Sequence, residues 1–259
     1  MTRIVLNGAA GRMGRAVEQA AADTTGVEIR ARVDRRENCP AGGGVWTDDL
    51  ASVLERGDVV VDFSAPESAR AAAALCAARG AALVTGTTGL SGADEQALGE
   101  AAKAVAVLRA TNFSLGVAAL RAALKAALLA APRTWDVEIV ERHHRRKKDS
   151  PSGTALTLAD DALAARGLAR EALQFGRQGA VGERPADEIG VHALRGGTWV
   201  GDHTVLLAGE GEWIELRHVA QDRAAFAHGA IAAARFVASA PPGSYTLADL
   251  LAGAASRRP

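Results

Sequence analysis

The stretch Glu141-Arg142-His143-His144-Arg145-Arg146-Lys147-Lys148-Asp149-Ser150-Pro151-Ser152-Gly153-Thr154-Ala155 concentrates the chemistry of this chain. Seven consecutive residues, Arg142–Lys148, are basic or histidine. Such a run could serve a nucleic acid, but it follows an apolar, strand-like segment and leads into Pro-Ser-Gly-Thr and helix formers. The first N–H groups of a helix lack partners within the helix and attract anions. Cations ahead of a helix start make a pocket for a small polycarboxylate. The pair His143-His144, just ahead of Lys147, adds imidazoles, side chains suited to moving a proton.

A second constellation lies near the first residues. The run Arg3–Asn7 leads straight into Gly8-Ala9-Ala10-Gly11-Arg12-Met13-Gly14 and then into helix formers. This G-x-x-G-x-x-G spacing is a variant of the dinucleotide fingerprint. Backbone N–H groups at a helix N-terminus must approach a pyrophosphate, and a Cβ there would block it. Gly8, Ala9, Gly11, Arg12, Met13 and Gly14 are therefore candidate cofactor residues, although Ala10 departs from the strict G-x-G-x-x-G form. Asp34 follows Arg30–Val33, where an acid would bond adenosine ribose hydroxyls. Arg35 and Arg36 come next, and a guanidinium there could hold a 2′-phosphate by forked bonds. The acid favours NADH and the arginines favour NADPH, so use of both is open. Two later turns are expected after the fourth and fifth strands. They bring Gly86, Thr87 and Thr88, then Ala110, Thr111, Asn112 and Phe113, to strand carboxyl ends, where such sheets bind ligands.

The elements that must position these groups alternate at first. Strands are expected at Arg3–Asn7, Val27–Val33, Asp58–Phe63, Ala82–Thr85 and Val105–Ala110. Helices are expected at Gly11–Thr24, Pro66–Arg79 and near Ala93–Lys103. Alternation of this kind predicts an α/β fold with a Rossmann-like, doubly wound parallel sheet. The texture changes after Asn112. A helix at Leu115–Ala130, a strand at Trp135–Glu141 and a helix at Gly153–Arg166 precede strand-like runs at Glu188–Leu194, Thr198–Leu207 and Trp213–Val219. These predict a second, α+β domain carrying a mixed sheet. A helix at Ala224–Ala238 and a tail with Leu247–Leu251 follow, and Gly42-Gly43-Gly44 reads as a loop.

Composition narrows the classes. Lys+Arg and Asp+Glu are equal at 30 each among 259 residues, which disfavours a general nucleic-acid binder. Hydrophobic residues make up 48%, enough for a sizeable core, yet no run approaches the ~18 apolar residues of a membrane span. Cys39 and Cys76 form no metal-spaced pair, and His, Cys and carboxylates do not cluster at ligand spacing, so no metal site is expected. A soluble, intracellular protein with free thiols is the expectation.

Glu141, His143, His144, Lys147, Asp149, Pro151, Ser152, Gly153 and Thr154 match E-x-H-H-x-x-K-x-D-x-P-S-G-T, and the chain resembles the dihydrodipicolinate reductase family. Further matches are Arg12-Met13, Gly86-Thr87-Thr88-Gly89, Asn112–Val117, Gly176-Arg177, Glu188-Ile189-Gly190, Arg195-Gly196-Gly197, Val200–Thr204 and Phe226-Ala227. Asp202 is a departure, because the family often has Glu before the histidine matched by His203. The resemblance implies hydride transfer from NADH and/or NADPH to C4 of a cyclic unsaturated dicarboxylate. Protonation at C3 follows, giving tetrahydrodipicolinate for lysine and diaminopimelate biosynthesis in the cytoplasm. It makes His143 and Lys147 the general-acid candidates, without choosing between them. His144, Lys147, Ser152, Gly153 and Thr154 become candidates for holding the substrate, with Glu141 and Asp149 orienting or balancing the cations. Arg195 could reach the site, while His192, His203, His218 and His228 are read as structural. The implied assembly is a homotetramer formed through the second-domain sheet. The implied domains are 1–113 with 227–259 for the dinucleotide and 114–226 for substrate and assembly.

Overall fold

In chain order the elements are β1 (Thr2–Asn7), α1 (Arg12–Ala22), β2 (Val27–Val33), β3 (Trp46–Thr47), α2 (Leu50–Val53), β4 (Val59–Asp62), α3 (Pro66–Arg79), β5 (Ala82–Thr85), α4 (Gly92–Ala102), β6 (Ala106–Arg109), α5 (Leu115–Ala130), β7 (Asp136–His143), α6 (Gly153–Arg166), β8 (Leu173–Phe175), β9 (Ile189–Arg195), β10 (Gly201–Ala208), β11 (Trp213–Ala220), α7 (Ala224–Val237), β12 (Gly243–Tyr245) and α8 (Leu247–Ala255). This computed structural model describes residues 1–40, 42 and 44–255. Gly43 of the loop read at 42–44, and residues 256–259 of the segment assigned to the first domain, lie outside the described residues.

The chain divides into two units, Met1–Leu115 with Arg223–Pro259, and Gly116–Asp222. In the first, Ile4, Val5, Leu6, Val59, Val60, Val61, Leu83, Val84 and Leu108 have no exposed surface. Continuous burial of this kind marks parallel strands covered on both faces. Seven strands run in the order β12-β6-β5-β4-β1-β2-β3, and every pair is parallel. Succession proceeds outward in one direction from β1 and in the other from β4. That reversal is the topological switch of a doubly wound sheet, so the expected fold class is borne out.

Local chemistry fixes the helices. α3 starts on Pro66, whose missing N–H costs nothing in the first turn, and ends on Gly80 at φ 68, a left-handed cap suited to glycine. α7 inserts Ala227, Ala230, Ile231, Ala233 and Ala234 into the core of this unit. Its small residues allow close approach: a Cβ on Gly229 would stand 1.7 Å from the Phe113 carbonyl oxygen.

The second unit holds a five-stranded sheet, β11-β10-β7-β9-β8. β10 pairs antiparallel with β11 and β7, whereas β7–β9 and β8–β9 are parallel. This is the expected mixed sheet. β7 alternates regularly in burial, so Val137, Ile139, Glu141 and His143 share one face. On that face Val137 and Ile139 join Val191, Val205 and Leu207 in a core with Leu120 and Leu124 of α5 and Leu158 and Leu163 of α6.

The sequence reading missed β3, β8 and β12, each two or three residues long and at or near a sheet edge. With β3 included, the turns assigned to the fourth and fifth strands follow β5 and β6. Leu247–Leu251 is the start of α8.

Candidate active site

The second unit gathers its polar groups where the inner face of the sheet runs past the end of the apolar core. Glu141 is wholly buried, and its carboxylate organises the site. Oε2 accepts from His143 Nδ1 at 2.6 Å and from Arg195 at 2.7 Å; Oε1 accepts from Arg195 at 2.8 Å and from the Ser152 backbone N–H at 2.9 Å. Burial alone would raise the Glu141 pKa. The bonds from His143, Arg195 and Ser152 outweigh that and hold it at about 2. Facing an ionised Glu141, His143 Nδ1 carries a proton and is the donor of that bond.

The sheet register explains the assembly. His143 pairs with Arg195 on β9, and Glu141 pairs with His203 on β10. His203 packs edge-on against His143 with ring centroids 5.1 Å apart, and its Nε2 lies 3.1 Å from Ser152 Oγ. Burial, with the His143 charge beside it, lowers the His203 pKa to about 4, so this ring is neutral at pH 7. Gly201 makes room for the pair: a Cβ there would lie 3.2 Å from His143 Nε2.

Ser152 caps α6, accepting from the Ala155 N–H. Gly153 is the first helical residue, with open space where a Cβ would project. Thr154 follows it in the first turn. Lys147 reaches Asp149 at 2.9 Å, and that bond lowers the Asp149 pKa. Arg195 also donates to the Asp149 carbonyl at 2.7 Å, tying the cationic loop to the sheet. The structure thus joins His143, Glu141, Ser152, Arg195 and the Lys147–Asp149 loop in one network. His144 enters it through its backbone: its carbonyl accepts from the Lys147 N–H at 3.0 Å, and its N–H donates to the Trp199 carbonyl at 2.8 Å. His203, read as structural, stands within this group. Asp202 lies on the opposite face, where Arg142 and Arg217 bind its carboxylate at 2.7 and 2.8 Å.

The first unit carries a cavity of about 500 Å³, whose wall includes Gly8, Ala10, Gly11, Arg15, Asp34 and Arg35. The glycines do different work. Gly8 has φ 79 and sits so close to β4 that a Cβ would meet the Phe63 carbonyl oxygen at 2.5 Å. Gly14 lies beneath the loop, where a Cβ would approach the Ala9 and Gly8 carbonyl oxygens at 2.4 Å. Gly11 is the N-cap of α1 and offers no side-chain cap, so the helix start is open to an anion. The wall therefore fits a pyrophosphate between the switch strands.

Other predicted cofactor residues lie off this wall. Ala9 is fully buried, Arg12 and Met13 form the first turn of α1, and Thr88 and Thr111 are exposed. Thr87 is buried: its hydroxyl donates to Asp62 at 2.8 Å and accepts from the Ser64 N–H at 3.1 Å. Gly86 faces Phe63 and Phe113, which meet edge-on at 5.4 Å. Ala110 donates its N–H to the Thr85 carbonyl, and Asn112 accepts from the Ser114 N–H. Asp62, not singled out from sequence, is fully buried and accepts from Asn7, Ser64, Thr85 and Thr87. Asn7 and Ser64 line the cavity, so this carboxylate braces its wall. Among the described residues no group of His, Cys, Asp and Glu could hold a metal ion.

Comparison with known families decides what this pair of sites belongs to. Models of the dihydrodipicolinate reductase N-terminus and C-terminus match residues 2–113 and 116–251. The chain belongs to the dihydrodipicolinate reductase family. Members of this family are nicotinamide-dependent oxidoreductases. A 4-hydroxy-tetrahydrodipicolinate reductase of Myxococcus xanthus is 45% identical, covering 97% of this chain and 98% of that protein. The enzyme of that name from Anaeromyxobacter sp. strain Fw109-5 is 42% identical over the same shares. A dipicolinate-bound dihydrodipicolinate reductase from Paenisporosarcina sp. TG-14 superposes with a TM-score of 0.79 at 25% identity, covering 95% of this chain and 97% of that one. An amine dehydrogenase from Mycobacterium smegmatis, at TM-score 0.61 and 16% identity, shares the fold.

Proposed function

We propose that the chain reduces 4-hydroxy-tetrahydrodipicolinate to tetrahydrodipicolinate, and that the buried Glu141–His143–Arg195 network beside Lys147 and the start of α6 is where the dicarboxylate binds. The hydrogen bonds converging on Glu141 carry this reading. A nicotinamide, when bound at the cavity in the first unit, supplies the hydride. The residues of this chain supply the rest. Lys147 and the α6 start, through Gly153 and Thr154, balance the two substrate carboxylates, with His144 alongside. Ser152 holds that helix start in place. The 4-hydroxyl leaves as water with a C3 proton, the hydride adds at C4 of the conjugated double bond so formed, and a proton must then return to C3, the carbon next to the reduced centre. To donate, His143 must carry a proton on Nε2 in addition to the Nδ1 proton that it gives to Glu141; Lys147 is the second donor. A catalytic acid contributes roughly 10²–10⁴-fold.

The cavity takes NADH and/or NADPH, since its wall holds both Asp34 and Arg35. Its contacts are the glycine loop, Asp34 and Arg35, with the turns after β5 and β6 completing the site. The family assembly, a homotetramer, fits the second sheet. Helices α5 and α6 cover one face, while the other exposes Leu194, Trp213 and Val219 at 41%, 68% and 50%. No helix of the described residues is long and apolar enough to cross a membrane, in keeping with a cytoplasmic biosynthetic enzyme.

The deciding assay mixes purified protein with enzymatically generated substrate and either reduced cofactor, and follows loss of nicotinamide absorbance. Turnover is expected with wild type and is expected to fall at least roughly 100-fold in Lys147→Ala or His143→Ala. Undiminished turnover in both variants overturns the assigned roles.

A further inference from the structure

The strand missing from the sequence reading delivers a residue that no motif marks. β3 pairs parallel with β2, with Thr47 beside Val33, and the Asp34 N–H donates to the Thr47 carbonyl at 3.1 Å. The residues that follow, Asp34 and Asp48, therefore leave the sheet side by side at its carboxyl edge. Both line the cavity.

The two acids are in different states. Asp34 is engaged by its own surroundings. Oδ2 accepts from the Ala10 N–H at 2.9 Å, while Oδ1 accepts from the Arg35 N–H at 2.9 Å and from Asn38 Nδ2 at 2.7 Å. It fixes the glycine loop and its own turn. The Asp48 side chain is exposed and has no hydrogen-bond or ion-pair partner among the described residues. The cations of the same wall do not neutralise it. Arg15 donates to the Ala10 carbonyl at 3.1 Å, and Arg35 forms no ion pair among the described residues. Asp48 is thus an unbalanced carboxylate at the β2–β3 side of the cavity. In a doubly wound sheet that is the side where the adenosine ribose lies, away from the switch between β1 and β4.

We propose that Asp48 is a specificity-determining residue that sets the cofactor balance toward the dinucleotide without a 2′-phosphate. A ribose diol can donate hydrogen bonds to this carboxylate. A 2′-phosphate brings close to two negative charges to the same place and meets repulsion that Arg35 must offset. The inference rests on the reading of this cavity as the dinucleotide site.

The test compares kcat/KM for NADPH and NADH in wild type, Asp48→Asn and Asp48→Lys. Asn keeps size and removes charge; Lys reverses it. The NADPH-to-NADH ratio is expected to rise roughly tenfold in D48N and further in D48K, with the D48K gain shrinking as ionic strength rises. A ratio within twofold of wild type in both variants overturns the proposal. Amide exchange of wild type with NADH checks the underlying reading separately. Protection of the Gly8–Arg15 loop supports the cavity as the site, so an unchanged ratio then removes Asp48 alone. Protection confined elsewhere removes the cavity assignment, and the proposal with it.

Discussion

Replacing Glu141 by Gln tests the central network most directly. The substitution keeps the shape of the side chain and removes its charge. A carboxylate titrating near 2 in the folded chain against 4.5 when exposed contributes about 3 kcal/mol of stability at neutral pH. Because its pKa is depressed by folding, that contribution is complete above about pH 4.5 and is lost as pH falls through about 2. Glu141→Gln also leaves the Arg195 guanidinium and the His143 Nδ1–H facing a weaker acceptor. At pH 7 the variant should therefore melt roughly 6–12 °C below wild type. The gap should narrow steadily below pH 4.5, because wild type loses what the variant never had. Thermal scans by circular dichroism between pH 7 and pH 2.5 measure it. Activity should drop about 100-fold in kcat as His143 loses its anchor. Equal melting points at pH 7, or a gap that stays constant down to pH 2.5, would refute the reasoning.

His203 predicts a second acid sensitivity with a different window. Its pKa of about 4 when folded, against 6.5 when exposed, means that the unfolded chain binds the extra proton between those values. Stability should fall by about 3 kcal/mol as pH drops from 6.5 to 4, and His203→Gln should flatten that slope in urea titrations. Gly229→Ala should lower the melting point of the first unit, since the new methyl would sit 1.7 Å from the Phe113 carbonyl oxygen and force α7 outward. The cost should be at least about 2 kcal/mol, and an unshifted melting curve would show that α7 can yield. Asp62→Ala removes the acceptor of four donors, the buried Asn7, Thr85 and Thr87 and the half-buried Ser64. It should cost about 2 kcal/mol or more and weaken NADH binding, measured by nicotinamide fluorescence, while Asp62→Asn recovers part of both.

Much of this architecture is legible in the chain because the signals are local. Pro66 and Gly80 bracket α3, and the expected bounds coincide with the observed ones. Ser152 before Gly153 starts α6 for the same reason, a side-chain oxygen ready to cap the helix. Continuous Val and Leu runs announce the parallel strands. The two- and three-residue strands β3, β8 and β12 are too short to show a period, and only their neighbours define them. Distant pairing is equally invisible. Nothing around His203 says that β10 lies beside β7, so its place next to His143 and Ser152 emerges only from the folded register. Asp62 was hidden because an acid ending a strand looks like an ordinary turn residue; its four donors come from sites spread between Asn7 and Thr87.

The first unit is closed by a helix that arrives late. α7 supplies Ala230, Ile231 and Ala234 to a core built mainly from residues before Leu115, and the whole of Gly116–Asp222 intervenes. During synthesis, the early strands leave the ribosome well before this covering helix exists. The middle segment can finish folding while the opening segment still shows bare alanine and valine. A nascent chain halted before Ala224 would therefore present a sticky, unfinished layer to the cell, and quality control of this enzyme should centre on that interval.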